Sequence, residues 1–473
     1  MNKVDCLLMQ APFWRQGILP HSDRHTAGEG ILSIATFLKS KGYRIKVFFT
    51  DELFLTDIPD RGEDPFPFHK LEKVIRRADP KIVGIGPHTC QYPVSLEILE
   101  LCKDINPEIT TVIGGPHVTF LDKECLQESK NVDIVVRGEG EWTMLDIVDC
   151  ILSKKDLKNI EGITYRKNDS IIRNINRKPG KLEELPACDY SLVKEKYMER
   201  CNFFFTFTRG CPFRCVYCVE SEFWGHKMRV RAVDKISKEI NFLVSKYNQK
   251  DTFIGFLASM FNVPEYFFKH MCQELKKIDF KDHTVAVLAY ANHLPEEHIE
   301  IMKDAGITRI LIAVESASEK VLKIMNKKIS FSQVVEKCKL IKKHGLEAGT
   351  LWMFGHPGET PETAAESLKA MVYLWENDLN MTQEVSIFNP YPGTAVYKNP
   401  EKYNIKILTR DWDKFSRLDE PVISLKGFPK PELQKYFKEA RMTAQFWGAM
   451  RKYIISQEEI SDSLIKKIQE TRS

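Results

Sequence analysis

The sequence predicts an α/β protein with a doubly wound, Rossmann-like parallel sheet at the N-terminus, then a second run of β/α units and a helical C-terminal region. Three observations predict it. Apolar, strand-like runs alternate with amphipathic helical stretches over the first 150 residues; the same alternation resumes from about 200 to 395; and the remainder carries apolar and aromatic residues at helical spacing. With 473 residues and 43% hydrophobic content, the chain is long enough for two or three domains, each with a core.

In the first domain, residues 1–150, the strands read as VDCLLMQ, RIKVFFT, IVGIG, TTVIGG and DIVVRG. A sheet of this kind binds ligands in the crevice beyond the carboxyl ends of its strands. The loops at that place are polar and glycine-rich: GPHTCQY (86–92), GGPHVTF (114–120) and RGEGE (137–141). Residues 151–195 read as a linker, with a small hairpin in GITYRKNDSIIRNINR and a charged, proline-containing stretch, KPGKLEELPACDY. A second domain, 196–398, repeats strand and helix six times, from FFFTFTRG to EVSIFNPYPG. Residues 399–473 read as a helical cap over its mouth, in which the aromatic stripe of KPELQKYFKEARMTAQFWGAMRKYI serves core packing.

Composition narrows the function. A net charge of +4, from 69 basic and 65 acidic residues, leaves no electrostatic footprint for nucleic acid or a membrane surface. The opening MNKVDCLLMQAPF has no basic stretch ahead of a long apolar core, so no signal peptide is expected, and no segment reaches transmembrane length. Twelve cysteines without a paired framework fit a reducing interior, so a cytoplasmic protein is expected.

The most informative residues are Cys211, Cys215 and Cys218, in TRGCPFRCVYC. Zinc sites normally present four ligands, or three plus water, built from C-x-x-C pairs. Here one gap is three residues long, Gly210 and Pro212 shape the loop, and Tyr217 precedes the last cysteine. Three thiolates so spaced can hold three corners of a 4Fe–4S cluster and leave one iron open.

This arrangement resembles the signature of the radical S-adenosylmethionine (SAM) superfamily. The resemblance implies a partial (β/α)6 barrel, with SAM chelating the open iron through its amino and carboxylate groups. Further segments carry it: ESAS (315–318), where Glu315 and Ser316 are implied to approach SAM; WMFGHPGET (352–360), whose Met353, Gly355 and Pro357 are implied to line the adenosine pocket; and FNPYPGT (388–394). Tyr217 joins this implied SAM set. Two places depart from the family. FLASMF (256–261) lacks the acidic pair that many relatives carry, and AYANHL places Tyr290, with Asn292 and His293, where an arginine usually steadies SAM.

The first 150 residues resemble the cobalamin-binding domain fused upstream of many radical SAM enzymes. The resemblance implies cobalamin contacts from Thr89, Tyr92, Gly114, Gly115, His117, Thr119, Gly138, Glu139 and Gly140. Asp23, His25 and Gly28 match D-x-H-x-x-G, in which a histidine serves as lower cobalt ligand; members of this fused family commonly lack it, and an ordinary loop histidine is the competing reading.

Two such cofactors together imply a C-methyltransferase: a deoxyadenosyl radical removes hydrogen from an unactivated carbon and methylcobalamin supplies the methyl group. Natural-product, lipid and tetrapyrrole-type substrates are expected, with a flavodoxin or ferredoxin as electron donor. The alternatives are a cyclase or rearrangement enzyme of the same architecture without methyl transfer, and a non-catalytic corrinoid-binding sensor.

Overall fold

The computed structural model describes residues 3–12, 25–26, 28–54, 66–247, 252–256, 260–418 and 420–470, with the backbone alone for 25–26, 54 and 451–470. Its first module is built on the parallel strands Cys6–Gln10, Ile45–Phe49, Ile82–Ile85, Thr110–Ile113 and Ile134–Val136. Helices cover both faces, so these strands are mostly continuous apolar runs rather than alternating; every residue of Cys6–Gln10 is buried. Cys6 pairs with Ile45 on one side and with Ile82 on the other. The chain thus steps outward from the first strand to Ile45–Phe49, then crosses back to Ile82–Ile85. This reversal of strand order opens a crevice at the carboxyl ends, where the three glycine-rich loops lie.

The hairpin expected in the linker belongs to this sheet instead. Ile163–Lys167 pairs antiparallel with Ile134–Val136, and Ser170–Arg173 pairs with it in turn. Ile163 and Tyr165 are buried in the core, so apolar burial recruits the hairpin and the first module runs on to Arg173.

The second module contains six parallel strands in sequential order: Cys201–Phe205, Phe253–Phe256, Thr284–Ala289, Arg309–Glu315, Glu347–Phe354 and Thr382–Ile387. The helices between them include Val233–Lys246, Phe331–Lys343 and Pro361–Glu376, the second started by a capping box between Ser330 and Gln333. This is the partial barrel, with its carboxyl ends carrying the family motifs. His25–Thr26 adds a short parallel pairing with Cys201–Asn202, so the first module contributes backbone to the barrel's open edge.

After Lys398 the expected helix begins only at Lys430 and runs to Glu470. Before it, Ile405–Ile407 and Ile423–Leu425 form an antiparallel ribbon. The ribbon is flanked by Asn404 and Gly427, both at left-handed backbone angles (φ 53° and 83°); Asn404 ends the short 3-10 turn Pro400–Tyr403 before the first strand, and Gly427 turns the chain out of the second. The long helix lies against the last barrel strand and the helix Pro361–Glu376, where Trp447 stacks on Trp375 at 4.7 Å. Its first turns also reach the carboxyl-end turn of the fifth strand, where Leu433 Cδ2 lies 3.1 Å from a notional Cβ on Gly355. Its aromatic stripe is divided, with Phe437 buried and Phe446 58% exposed.

Candidate active site

The cysteine loop leaves the first barrel strand and is closed at its base by a two-residue ladder, Thr208–Arg209 against Arg229–Val230. Gly210 takes φ 103°, and a Cβ there would lie 2.3 Å from the Lys227 carbonyl oxygen, so only glycine lets the loop start. The Cys211 N–H donates to the Gly225 carbonyl (3.1 Å), Cys218 N–H to Cys215 (3.1 Å), and Val216 N–H to Met325 (3.1 Å). Burial pushes all three thiols up, Cys218 to about 12, which is the cost a metal offsets when it binds the thiolate. Among the described residues, two other trios, Glu29–Cys188–Glu239 and Glu296–Glu300–His344, bring their ligand atoms within 4.8 Å of one another. The donor set itself, three thiols in one short loop with no fourth protein ligand in the motif, suits a cluster that leaves one iron open.

Beside this loop lies a buried polar pocket. Glu315 closes the fourth barrel strand at a register shift, with φ 67°, a left-handed angle rare for a residue with a side chain. Its carboxylate accepts from Tyr217 Oη (3.1 Å) and pairs with Lys327 Nζ (3.1 Å), and these bonds hold the strained backbone. The neighbouring lysine ammonium keeps the Glu315 carboxyl below its usual range despite burial. His356, unexposed, faces Tyr217 edge-on at 5.2 Å, and both its ring nitrogens lack a partner. Burial lowers its pKa to about 4. A neutral imidazole with two open hydrogen-bonding positions is what a polar ligand would satisfy, so the pocket fits SAM. Gly355 N–H donates to Glu359, whose buried carboxyl is pushed up to about 8.

The remaining expected SAM residues divide. Met353, Gly355 and Pro357 lie on or just past the fifth strand, next to His356. Ser316 is fully buried, its hydroxyl 3.3 Å from Ser367 Oγ and accepting from the Ser318 N–H (3.2 Å). Tyr290 stacks on Phe213 of the cysteine loop (4.6 Å, 19° between planes), and its hydroxyl accepts from the Lys328 N–H (2.9 Å). Asn292 Nδ2 donates to the Lys328 carbonyl (2.7 Å), and His293 lies 5.9 Å from the Phe213 ring. Residues 257–259 of FLASMF lie outside the described residues. The sequence alone gave no role to His356, inside WMFGHPGET, or to Lys327, in the MNKK segment that follows ESAS.

At the carboxyl ends of the first sheet, Gly114 and Gly138 sit at the crevice, and a Cβ on Gly138 would meet nothing within 4 Å. Thr89 is buried there, and the His117 Nδ1 is buried without a partner. Gln10, which ends the first strand, likewise has a buried, unpartnered Oε1. These open groups at the switch of strand order fit a corrinoid's amide-bearing rim. Other expected contacts are taken by the protein. Tyr92 turns into the core and its hydroxyl donates to Glu128 (2.9 Å). Gly115 (φ 103°) packs against the Pro87 carbonyl, 2.9 Å from a notional Cβ. Thr119 accepts from the Gly138 N–H (3.0 Å), tying two loops together. His117 is enclosed by Tyr92 and Trp412, at ring distances of 4.4 and 4.8 Å, and burial lowers its pKa to about 3. Asp23 and the His25 side chain lie outside the described residues.

The RGEGE loop also meets the barrel. Glu139 pairs with Arg209 (3.2 Å) and with Arg229, and Glu141 pairs with Arg209 and accepts from Ser33 Oγ (2.7 Å). Glu139 is thus an inter-module ion-pair residue, and Gly140, whose notional Cβ would lie 2.5 Å from Ile34 Cδ1, permits helix packing. Arg231 extends the seam, pairing with Glu29 (2.9 Å) and Glu239. All four carboxylates and all three guanidinium groups are largely buried, so each depends on its partners.

Comparison with known proteins agrees with this geometry. Residues 205–371 match the radical SAM superfamily model and residues 23–148 the B12 binding domain model. The chain is 32% identical over 388 residues to an uncharacterized methyltransferase of Pyrococcus horikoshii, covering 81% of this chain and 82% of the relative. It is 27% identical over 420 residues to the anaerobic magnesium-protoporphyrin IX monomethyl ester cyclase of Rubrivivax gelatinosus, covering 84% and 71%. The fold is shared with the radical SAM methyltransferase TsrM from Kitasatospora setae, solved with tryptophan substrate and a SAM analogue bound (TM-score 0.69, 17% identity, covering 93% of this chain and 88% of that one). With two matching modules in one chain, joined by buried ion pairs, and a relative alike over most of both lengths, this protein belongs to the cobalamin-dependent radical SAM methyltransferase-like family.

Proposed function

We propose that this enzyme is a C-methyltransferase acting on an unactivated carbon of a small natural-product, lipid or tetrapyrrole-type molecule. The observation that carries the reading is the direct attachment of the cysteine loop to the corrinoid module through Arg209, which holds the carboxyl ends of the two sheets in one arrangement. When bound, the cluster and SAM supply hydrogen-atom abstraction and the cobalamin supplies a methyl group.

The chain's own part is placement and exclusion of water. Cys211, Cys215 and Cys218 hold the cluster; Tyr217, Glu315, Met353, Gly355, Pro357 and His356 surround SAM; and Thr89, Gly114, His117 and Gly138 receive the corrinoid. The Phe213–Tyr290 stack stiffens the cysteine loop against the third barrel strand. Trp412, from the C-terminal ribbon, covers His117 and so narrows the crevice from outside. We further propose a reducing, cytoplasmic setting, supported by twelve uncrosslinked cysteines. The electron donor would be a one-electron carrier such as flavodoxin or ferredoxin, with no nucleic-acid partner. Among the described residues no helix is long and apolar enough to cross a membrane.

The Rubrivivax relative favours a second reading, cobalamin-dependent cyclisation without methyl transfer. Incubation of the anaerobically reconstituted enzyme with methyl-deuterated SAM and candidate substrates separates the two. Methylation gives a product heavier by one labelled methyl group. Deoxyadenosine formed alongside an altered but unlabelled product would reject the methyltransferase reading.

A further inference from the structure

We infer that Arg417, held between the carboxyl ends of the two sheets, binds a carboxylate or phosphoryl group on the substrate. Arg417 lies outside the residues matched by either family model. Its carbonyl accepts from the Ile387 N–H (2.7 Å), which fixes it at the carboxyl end of the last barrel strand. The turn just before it, Trp412–Lys414, packs on Thr89–Gln91 at the carboxyl ends of the first sheet. The residue therefore stands where a substrate reaching both cofactors has to pass.

Its guanidinium faces that space. His88, in the GPHTCQY loop, keeps exposed surface although burial lowers its pKa, as a side chain on the wall of an internal crevice does, and Arg417 lowers it further. Burial pushes the Tyr391 hydroxyl up to about 12, and the same guanidinium opposes this. Among the described residues no carboxylate acts on either group, and Arg417 is exposed and forms no ion pair. An independent observation marks a missing ligand: Asn389 is 2% exposed, and neither its Nδ2 nor its Oδ1 has a hydrogen-bond partner. The Tyr391 Oη donates to the Phe415 carbonyl (3.2 Å), which ties the Asn389–Tyr391 turn to the segment bearing Arg417. A buried amide with both positions open is completed by a polar group, and a guanidinium fork matches the two oxygens of a carboxylate or phosphoryl group. An anion meets both demands at once; an uncharged group would leave the cation without a counter-charge.

The competing roles are a solvated surface arginine and a contact to the corrinoid's own nucleotide phosphate. Protein is loaded with the cluster and cob(II)alamin, whose unpaired electron speeds the nuclear relaxation of any probe held close to it. The probes are phenyl phosphate, read by phosphorus NMR, and benzoate and benzamide, each read by NMR of an isotope-labelled carbonyl carbon; benzamide is the neutral counterpart of benzoate. The proteins are wild type, R417Q, R417K and K426Q, the last removing an exposed cation from the opposite end of the ribbon. Retention of hydroxocobalamin and of cobinamide, which lacks the nucleotide phosphate, is measured on the same proteins by corrin absorbance after gel filtration.

The expected result is faster relaxation of phenyl phosphate, benzoate or both in wild type and K426Q, with benzamide little affected. R417Q should lose about fivefold or more of that enhancement, and R417K should recover at least half. Whichever anion responds more strongly tells a phosphoryl-bearing substrate from a carboxylate. No enhancement in wild type, an equal one for benzamide, or an undiminished one in R417Q would overturn the assignment. Weaker hydroxocobalamin retention in R417Q with cobinamide held as in wild type would overturn it too, by placing the nucleotide phosphate on Arg417. The assignment rests on substrate lying between the two cofactors as proposed above; a wild type that neither retains cobalamin nor cleaves SAM would reject that reading, and the assignment with it.

Discussion

Arg209 donates from Nη1 to Glu141 Oε2 over 3.1 Å, which fastens the residue two places before Cys211 to the loop that ends the fifth strand of the other module. The same guanidinium reaches Glu139 and lies over the Trp224 ring, 4.7 Å from its centroid. One side chain therefore couples cluster loop, corrinoid module and the wall between them. Removing one member of a buried pair leaves an uncompensated charge, at a cost of roughly 3–5 kcal/mol. R209M is expected to lower the unfolding temperature and to split one calorimetric transition into two, as the modules part. A single transition at the wild-type temperature would contradict the clamp.

The three cysteines should act as a set. C211S, C215S and C218S are each expected to lose the cluster's visible absorbance and SAM cleavage. Each should retain hydroxocobalamin, because the crevice of the first sheet draws no ligand from that loop. Anaerobic reconstitution followed by a visible spectrum reads both cofactors at once. Retention of full cluster absorbance in any of the three would remove that residue from the ligand set.

Glu359 gives a pH dependence with a definite sign. Its folded-state pKa is raised from 4.5 to about 8, first by burial, so the folded protein binds a proton that the unfolded chain releases. The stability it contributes is complete below about pH 4.5 and is lost as pH rises through about 8. E359Q keeps an oxygen for the Gly355 N–H and cannot ionise. The variant should unfold at higher denaturant than wild type at pH 8 and show a flatter stability profile between pH 5 and 8.

Gly115 tests the crevice loop. A Cβ would meet the Pro87 carbonyl oxygen at 2.9 Å, on a backbone at φ 103°. G115A is expected to cost at least about 1–2 kcal/mol in stability from the backbone term alone and to weaken corrinoid retention by displacing the neighbouring loop. Gly30, with no atom within 4 Å of its notional Cβ and an ordinary helical backbone, should accept alanine freely, and G30A serves as the control. Denaturant titration and corrin absorbance after gel filtration compare the pair.

Most of the parallel architecture was legible because each strand is a short, continuous apolar run between helical repeats. VDCLLMQ, RIKVFFT and IVGIG read as strands from local pattern; that the first lies between the other two only the structure decided. The hairpin at 163–173 was visible as a hairpin. Its membership of the first sheet was not, since sheet pairing depends on which edge is free when the chain arrives. The ribbon before Lys430 was missed because its strands are three residues long, too short for a period to register.

The chemistry followed a similar division. Thiol spacing within eight residues is a local property, and Cys211, Cys215 and Cys218 are written in the chain as a ligand set whatever surrounds them. Glycine-rich loops after apolar strands likewise announce a crevice. The uses of Glu139, Glu141 and Tyr92 are not local: Glu139 and Glu141 meet Arg209 across 70 and 68 residues, and Tyr92 meets Glu128 across 36. A carboxylate in a polar loop can face ligand, solvent or an arginine, and the letters are identical in each case. Folding settles it, because burying a charge is tolerated only where an opposite charge arrives with it. Long-range packing supplied those partners, and with them the alignment of the two sheets.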